Sequence, residues 1–151
     1  MRVSTRGDYA CRALLSMALH VDTSPTQSVR DIALRTGLPQ PYLEQILLAL
    51  KGAGLVRSKR GVGGGYVLAK QPEDVTLAEI VSAVDGPIQL GDFGQPHKDG
   101  ACDHEGQCVL LTVWDEVGAH MKTHLTAHTL ADMVSRARGL PVVIPDPPHH
   151  H

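Results

Sequence analysis

Residues 28–70 read SVRDIALRTGLPQPYLEQILLALKGAGLVRSKRGVGGGYVLAK, and this stretch decides the fold. Ser28 is a good N-cap for a short helix, because its hydroxyl can accept a hydrogen bond from an otherwise unsatisfied backbone N–H. Gly37 ends that helix, since glycine adopts the left-handed conformation at low cost. The apolar residues that follow recur at helical spacing and predict a second helix that stops at Gly52 or Gly54. Two short helices joined by a tight turn containing glycine are typical of a helix-turn-helix.

The residues after the second helix predict a β-hairpin with a basic tip. Residues 55–56 and 66–68 have the composition of two short strands, and the loop between them is mostly glycine. Arg57, Lys59 and Arg60 place three positive charges at the tip. A phosphate-binding glycine loop would require Gly-Lys-Ser/Thr at the start of a helix, whereas these glycines lead into a strand. The prediction is therefore a mainly α fold with a small β-hairpin wing, that is, a winged helix-turn-helix.

The charge distribution supports a polyanionic partner for the first half of the chain. The 151 residues carry a net charge of −2, but residues 1–70 hold 10 Lys+Arg against 4 Asp+Glu, and residues 71–151 hold 4 against 12. A basic module beside an acidic remainder indicates DNA as the partner of the basic part. No apolar run is long enough to span a membrane, no export signal is evident, and three cysteines are compatible with a reducing cytoplasm. The terminal His149–His151 resembles the remnant of a purification tag.

The winged helix predicts which side chains contact double-stranded DNA. The second helix can enter the major groove and present polar groups to base edges. The wing can approach phosphates closely, because its glycines have no side chains, and its cations neutralise phosphate charge. The candidates on the second helix are Gln40, Tyr42, Glu44 and Gln45, with Tyr42 alternatively packed beneath the wing; those on the wing are Arg57, Lys59 and Arg60; and Ser28 and Arg30 are expected to touch the DNA backbone.

The second half of the chain predicts a long helix that needs a partner. Thr76 and Glu79 form a capping box for a helix that closes at Gly86, and a polar loop follows. Apolar residues at positions 109–125 then form a stripe on a helix of four to five turns, too long to be covered by so small a domain, so we expect a homodimer. The predicted divisions are a winged helix-turn-helix (1–86), a cysteine-containing sensor loop (87–108), a dimerisation helix with a short final helix (109–138), and a flexible tail with the tag remnant (139–151).

Several motifs resemble those of the Rrf2 family of bacterial transcription regulators. They are the opening MRVSTRGDYACRAL, the run LPQPYLEQILLALKGAGLVRSKRGVGGGYVLA and the helix VTLAEIVSAVDGP. The resemblance extends from residue 1 to about residue 135. It implies a homodimer with a winged helix-turn-helix in each subunit and a long dimerisation helix. Many members bind an iron–sulfur cluster in the loop before that helix, whereas others have none.

The same resemblance suggests ligands for a cluster. Cluster-binding members place three cysteines at six-residue spacings in this loop, and Cys102 and Cys108 match the second and third. The first would fall at Pro96 and an additional histidine ligand at Leu111, so neither is present. A carboxylate of the first helix, donated by the partner subunit in some members, matches Asp8. Secondary candidates are His97, His104 and Cys11. The implied group is an iron–sulfur cluster of the 2Fe–2S type, with a 4Fe–4S cluster or no cluster as further possibilities.

The residues also leave other interpretations of the cysteine loop open. Thiolates suit iron–sulfur clusters and zinc. The spacing of Cys102 and Cys108 departs from that of structural zinc sites, but it permits a reversible dithiol–disulfide pair without metal. Inert thiols are a fourth option, and Cys11 alone is typical of a small core residue. An enzyme is disfavoured because no catalytic set gathers on a recognisable scaffold. A winged helix that binds only protein is a further alternative, against which the basic wing and the charge asymmetry argue.

Overall fold

The computed structural model of the chain describes residues 3–91 and 105–139. Within these ranges it contains six α-helices and one two-stranded antiparallel hairpin, and no helix long and apolar enough to cross a membrane. The elements are α1 (Thr5–Leu19), α2 (Val29–Thr36), α3 (Gln40–Gly52), β1 (Val56–Lys59), β2 (Gly65–Leu68), α4 (Leu77–Asp85), α5 (Gln107–Ala127) and α6 (Leu130–Gly139), with a short 3₁₀ turn at Pro72–Asp74. The mainly α fold with a hairpin wing is confirmed.

Local hydrogen bonds explain where α2 begins and ends. The Ser28 hydroxyl accepts a hydrogen bond from the backbone N–H of Asp31 at 3.0 Å, which caps the helix as its sequence predicts. Gly37 follows with φ of 73°, and its N–H donates to the Ala33 carbonyl at 2.8 Å. This left-handed residue turns the chain into α3. The helix-turn-helix expected from residues 28–52 is therefore present.

The hairpin differs in detail from the sequence-based prediction. Val56 pairs with Leu68 and Lys59 with Gly65, so Arg57 and Lys59 lie within β1, and only Arg60 is in the turn. The prediction that all three cations form the tip was wrong, because β1 does not end at the buried Val56. It continues through the exposed residues 57–59. Tyr66 also pairs with Gln27, through N–H···O bonds of 2.8 and 2.9 Å. The segment before α2 is thereby attached to the hairpin by a single β-bridge.

The hydrophobic core lies where α1, α3 and α4 meet and includes one residue of α6. Its fully buried side chains are aliphatic, as the low aromatic content of 3% predicts. Leu130 of α6 is 0% exposed, and its N–H donates to the Val75 carbonyl at 2.8 Å. The Leu77 N–H donates to the His128 carbonyl at the same distance. The chain therefore returns from α5 to complete the core that α1–α4 begin.

α5 has 21 residues, about six turns, and is a turn longer than predicted because it begins at Gln107 and continues to Ala127. Leu111 is its one buried residue. Val109 is 66% exposed, Leu110 52% and Val113 42%, with Val117 and Trp114 nearly as open. The apolar stripe predicted from the sequence is thus only marginally covered by its own chain.

Candidate nucleic-acid interface and cysteine region

α3 separates its apolar and polar residues onto opposite sides. Leu43, Ile46, Leu47 and Leu50 are fully buried in the core. Gln40, Glu44 and Gln45 are exposed and lie in the first two turns. Amide and carboxylate side chains at the start of a recognition helix can reach base edges in the major groove. The structure therefore leaves the three predicted base-reading side chains accessible together.

Tyr42 is held by α1, not by the wing. Its ring meets the Tyr9 ring edge to face, with centroids 5.6 Å apart and planes at 85°. The Arg12 guanidinium lies 5.8 Å from the centre of the Tyr9 ring. An aromatic pair of this geometry adds about 0.5–1.5 kcal/mol beyond burial. Tyr42 remains 39% exposed, so packing fixes its direction while its outer edge stays available to DNA.

The cations of the wing point into solvent beside a glycine-rich turn. Arg57, Lys59 and Arg60 are all exposed, as is Arg30 at the start of α2. A Cβ added to Gly64 would lie 2.4 Å from the Lys59 carbonyl oxygen, so the turn folds back on itself more tightly than any side chain allows. Ser28 is half-buried and its hydroxyl caps α2. The four cations are therefore accessible to a polyanion.

A buried polar network joins α1, α2 and the wing. The Gln27 side-chain amide donates to the Met17 carbonyl at 2.9 Å, and its oxygen accepts from the Arg35 guanidinium. Arg35 also donates to the Ser16 hydroxyl at 3.0 Å. Gln27 is 2% exposed and is the same residue that pairs with Tyr66 of β2. Sequence reasoning missed this residue, because a single paired position leaves no alternating pattern.

The structure describes one of the two cysteines of the predicted sensor loop. Cys108 lies in the first turn of α5 and is half-buried. Gly106, the residue before the helix, has φ of 84° and provides no side-chain cap. Cys102, His97 and His104 lie outside the described residues. Cys108 therefore connects the loop directly to the helix that bears the exposed apolar stripe.

The candidate ligands on α1 have contrasting environments. Asp8 is exposed and forms an ion pair with Arg12 at 2.9 Å. Burial, and then the carboxylates of Asp8 and Asp85, raise the pKa of the Cys11 thiol to about 11. Cys11 therefore keeps its proton at neutral pH, which disfavours it as a metal ligand because metals bind the thiolate.

Two findings limit the ligand set that one chain can supply. Leu111, at the position of the family's additional histidine, is 6% exposed and apolar. Among residues 3–91 and 105–139, no three His, Cys, Asp or Glu side chains come together as a metal-binding group. Asp8 and Cys108 of one chain therefore do not complete a site with the described residues alone.

The end of α4 is tied to the start of α1. The Asp85 carboxylate accepts hydrogen bonds from the Ser4 hydroxyl and from the Ser4 N–H, the latter at 3.3 Å. Ser4 in turn caps α1 by accepting from the Gly7 N–H at 2.9 Å. A Cβ on Gly7 would lie 2.8 Å from Asp85 Oδ2. Asp85, just before the cysteine loop, is therefore hydrogen-bonded to Ser4, the cap of α1, and α1 is the helix that carries Asp8.

A winged helix-turn-helix with an accessible α3 and a basic wing defines a DNA-binding transcriptional regulator, and the comparisons with known proteins agree. The family model "Rrf2: Iron-dependent Transcriptional regulator" matches residues 3–136, and the chain belongs to this family. The family consists of transcriptional regulators and not of enzymes.

Individual relatives support the same assignment. The chain is 34% identical to the HTH-type transcriptional regulator IscR of Klebsiella pneumoniae over 94% of this chain and 85% of that protein. Among solved structures, it is similar to T. potens IscR, with 33% identity, a TM-score of 0.71 and coverage of 95% and 94% of the two chains. It is also similar to CymR, the global cysteine regulator of B. subtilis, with 30% identity, a TM-score of 0.72 and coverage of 89% and 97%.

Proposed function

We propose that this protein is a homodimeric, sequence-specific DNA-binding regulator whose DNA affinity is controlled by an iron–sulfur cluster at the Cys102/Cys108 loop. One observation carries the proposal: Cys108 occupies the first turn of α5, the helix whose apolar side is exposed in the single chain. A change at the cysteine would therefore act on the helix that joins the two subunits. DNA binding is a property of the family, whereas the control and the dimer are our inference.

The exposed side of α3 and the wing divide the recognition of DNA between them. Gln40 and Gln45 can pair with adenine, and Glu44 can accept from the amino group of cytosine. Arg57, Lys59, Arg60 and Arg30 would contact phosphates, which adds affinity without sequence preference. The Gln27 network attaches the wing to the helical part, because it bonds α1 and α2 to β2 of the wing.

The exposed side of α5 supports a second copy of this chain as its partner. Five large apolar residues of this helix are at least 38% exposed. The stripe continues into an apolar groove of about 770 Å³ between the start of α1 and the second half of α5, lined by Val3, Val117, Met121 and Leu125 among others. A helix about 31 Å long can pair with its own symmetry mate, and two-fold dimers are the commonest assemblies. The two recognition helices would then meet successive half-sites.

The ligands that we propose are Cys102 and Cys108 of one subunit and Asp8 of the partner subunit. Asp8 fits because its carboxylate is exposed and forms an ion pair with Arg12, a contact that surface exposure makes weak. We assign Asp8 to the partner because the family resemblance implies a carboxylate donated across the dimer, and because residues 3–91 and 105–139 of one chain gather no group of three ligands. A bound cluster would supply redox sensitivity at this position, and replacing thiolates by oxygen ligands raises its lability. His97 and His104, which lie outside the described residues, are secondary donors.

The chain offers a direct mechanical connection between this loop and the DNA-binding module. Cys108 holds the start of α5, and Asp85 holds the start of α1 through Ser4. A shift of the loop would therefore move α5 relative to α4 and α1, which the Asp85–Ser4 hydrogen bonds hold together. Since both half-sites must be contacted at once, a change in the spacing of the two modules alters DNA affinity.

The test is an anaerobic absorption spectrum of the freshly purified protein with iron and sulfide analysis. We expect visible absorbance in the unaltered chain, its loss in the Cys102→Ala/Cys108→Ala variant, and its retention in Cys11→Ala, the matched control. DNA affinity should then depend on cluster loading in the unaltered chain and not in the double variant. Absorbance that persists in the double variant would contradict ligation by these residues.

A thiol–disulfide switch at Cys102 and Cys108 is the second candidate. It is favoured by the absence of a ligand at Pro96 and by the buried, apolar Leu111, which leave fewer donors than cluster-binding members have. In a reducing cytoplasm, where we expect the protein to act, such a disulfide would form transiently. A colourless anaerobic protein whose DNA affinity changes on oxidation, with a mass loss of about two hydrogens on forming the bond, would select this candidate.

A further inference from the structure

We propose a second metal site, distinct from the cysteine loop, that binds a divalent first-row transition metal such as Zn²⁺ between His124 and His128. His124 is in the last turn of α5, and His128 follows the last helical residue. Their Nε2 atoms lie 3.4 Å apart, the rings are 5.0 Å apart at their centres, and the ring planes are at 79°. Neither residue is among the proposed DNA contacts or cluster ligands, and His124 lines the groove beside the exposed side of α5.

The geometry of the pair matches two imidazoles on one tetrahedral metal. With Zn–N bonds of about 2.0–2.1 Å and a tetrahedral angle, two bound nitrogens are about 3.4 Å apart. The ring centres of such a pair are about 5.2 Å apart, because both rings extend away from the shared metal. The two side chains are thus already at the separation that chelation requires.

The surroundings of the pair favour a cation. Backbone carbonyls at the end of α5 give this end of the helix a partial negative charge. Asp132 stays ionised nearby, because hydrogen bonds from Thr129 and, to a smaller extent, the charges of Arg136 and His128 lower its pKa. His128 is anchored, since its carbonyl accepts from the Leu77 N–H at 2.8 Å. Water would complete the coordination, because the described residues supply no third protein ligand here.

Nitrogen ligands select the class of metal. Imidazole suits Zn²⁺, Cu²⁺ and Ni²⁺, whereas Mg²⁺ and Ca²⁺ prefer oxygen ligands. With two protein ligands and water in the remaining coordination positions, the metal would exchange readily. It would bind more weakly than at a closed structural zinc site. Bound metal would join α5 to the corner that leads into α6, and would stabilise the folded state by mass action.

The test is isothermal titration with ZnCl₂ of the full chain in which Cys102 and Cys108 are serine and His149–His151 are alanine. In this background we expect one Zn²⁺ per chain and no response to MgCl₂. His124→Ala and His128→Ala should each weaken zinc binding at least about tenfold. His120→Ala is the matched control, because His120 lies one turn earlier on the same helix, is equally exposed and lines the same groove; it should bind zinc as the background does.

A second substitution separates metal binding from a simple hydrogen bond between the rings. His124→Gln retains a hydrogen-bonding side chain but removes the imidazole, so we expect it to lose zinc binding and to keep the metal-free melting temperature. Zinc should raise the melting temperature of the background and of His120→Ala, but not of His124→Gln. The proposal is overturned if the background takes up no zinc, or if His124→Ala and His124→Gln bind zinc as tightly as His120→Ala.

Discussion

Gly65 should be the least replaceable glycine of the wing, and Gly65→Ala tests how the wing is attached. A Cβ at this position would lie 2.2 Å from the Gln27 carbonyl oxygen and 2.6 Å from its carbonyl carbon. Both are backbone atoms, so no side-chain rotation can relieve the clash. The wing must therefore move away from Gln27. This movement would break the two backbone hydrogen bonds between Gln27 and Tyr66, which are 2.8 and 2.9 Å long.

The expected cost follows from these contacts. Losing two backbone hydrogen bonds costs about 1–3 kcal/mol in total. Residual overpacking adds about 1–3 kcal/mol. We therefore expect Gly65→Ala to lower the free energy of unfolding by about 2–6 kcal/mol. Gly63→Ala is the matched control: Gly63 has φ of 73°, but a Cβ there meets nothing within 4 Å, so only the left-handed backbone cost of about 1–2 kcal/mol applies.

Urea denaturation followed by far-ultraviolet circular dichroism measures the free energies of unfolding of Gly65→Ala and Gly63→Ala. Fluorescence anisotropy with a labelled duplex measures the DNA binding of the folded variants. Gly65→Ala should also weaken DNA binding, since the displaced wing carries Arg57 and Lys59. If Gly65→Ala is as stable as Gly63→Ala, the close approach of the wing to the Gln27 backbone does not contribute to the stability of the fold.

Three further predictions concern two residues of the proposed DNA interface and the thiol of Cys11 in α1. Arg60→Ala should weaken binding to all duplexes alike and reduce the salt dependence by about one unit; an unchanged salt titration would show that the wing does not contact phosphate. Glu44→Ala should mainly change which sequences are preferred, measured by selection from a random duplex pool, and a uniform loss across the pool would contradict a base-reading role. Cys11 should react with iodoacetamide at pH 8 about 100-fold more slowly in the native than in the urea-unfolded protein, because its pKa of about 11 lies above the ordinary 9.0 and keeps the thiol protonated until the pH approaches 11. Equal rates by peptide mass spectrometry would contradict the burial of this thiol.

The helices and their ends were predictable because their causes are local. The Ser28 cap, the left-handed Gly37 and the Thr76 cap each depend on residues within four positions of one another. The burial of Leu43, Ile46, Leu47 and Leu50 follows from their helical spacing alone. The exposed stripe of α5 was also predictable, because an apolar helix longer than its domain can bury only a small part of its surface, here Leu111, against its own chain.

The contacts that position the site were not predictable, because they join residues distant in sequence. Gln27 pairs with Tyr66 at one position, which leaves no strand-like alternation. Tyr42 was expected either at the DNA or beneath the wing, but it meets Tyr9 of α1, a contact set by how the helices pack. The raised pKa of Cys11 depends on burial and on Asp85, more than seventy positions away in the chain. Spacing within a motif contains none of this information.

The measurement that tests the central claim most directly is sedimentation velocity of the purified protein at low ionic strength, with and without a fluorescent random duplex. A paired DNA-binding regulator predicts that the protein sediments with the mass of two chains and that the duplex moves with it. A Val113→Glu variant, altered on the exposed side of α5, should sediment as one chain. The account is contradicted if the unaltered protein has the mass of a single chain and leaves the duplex unshifted.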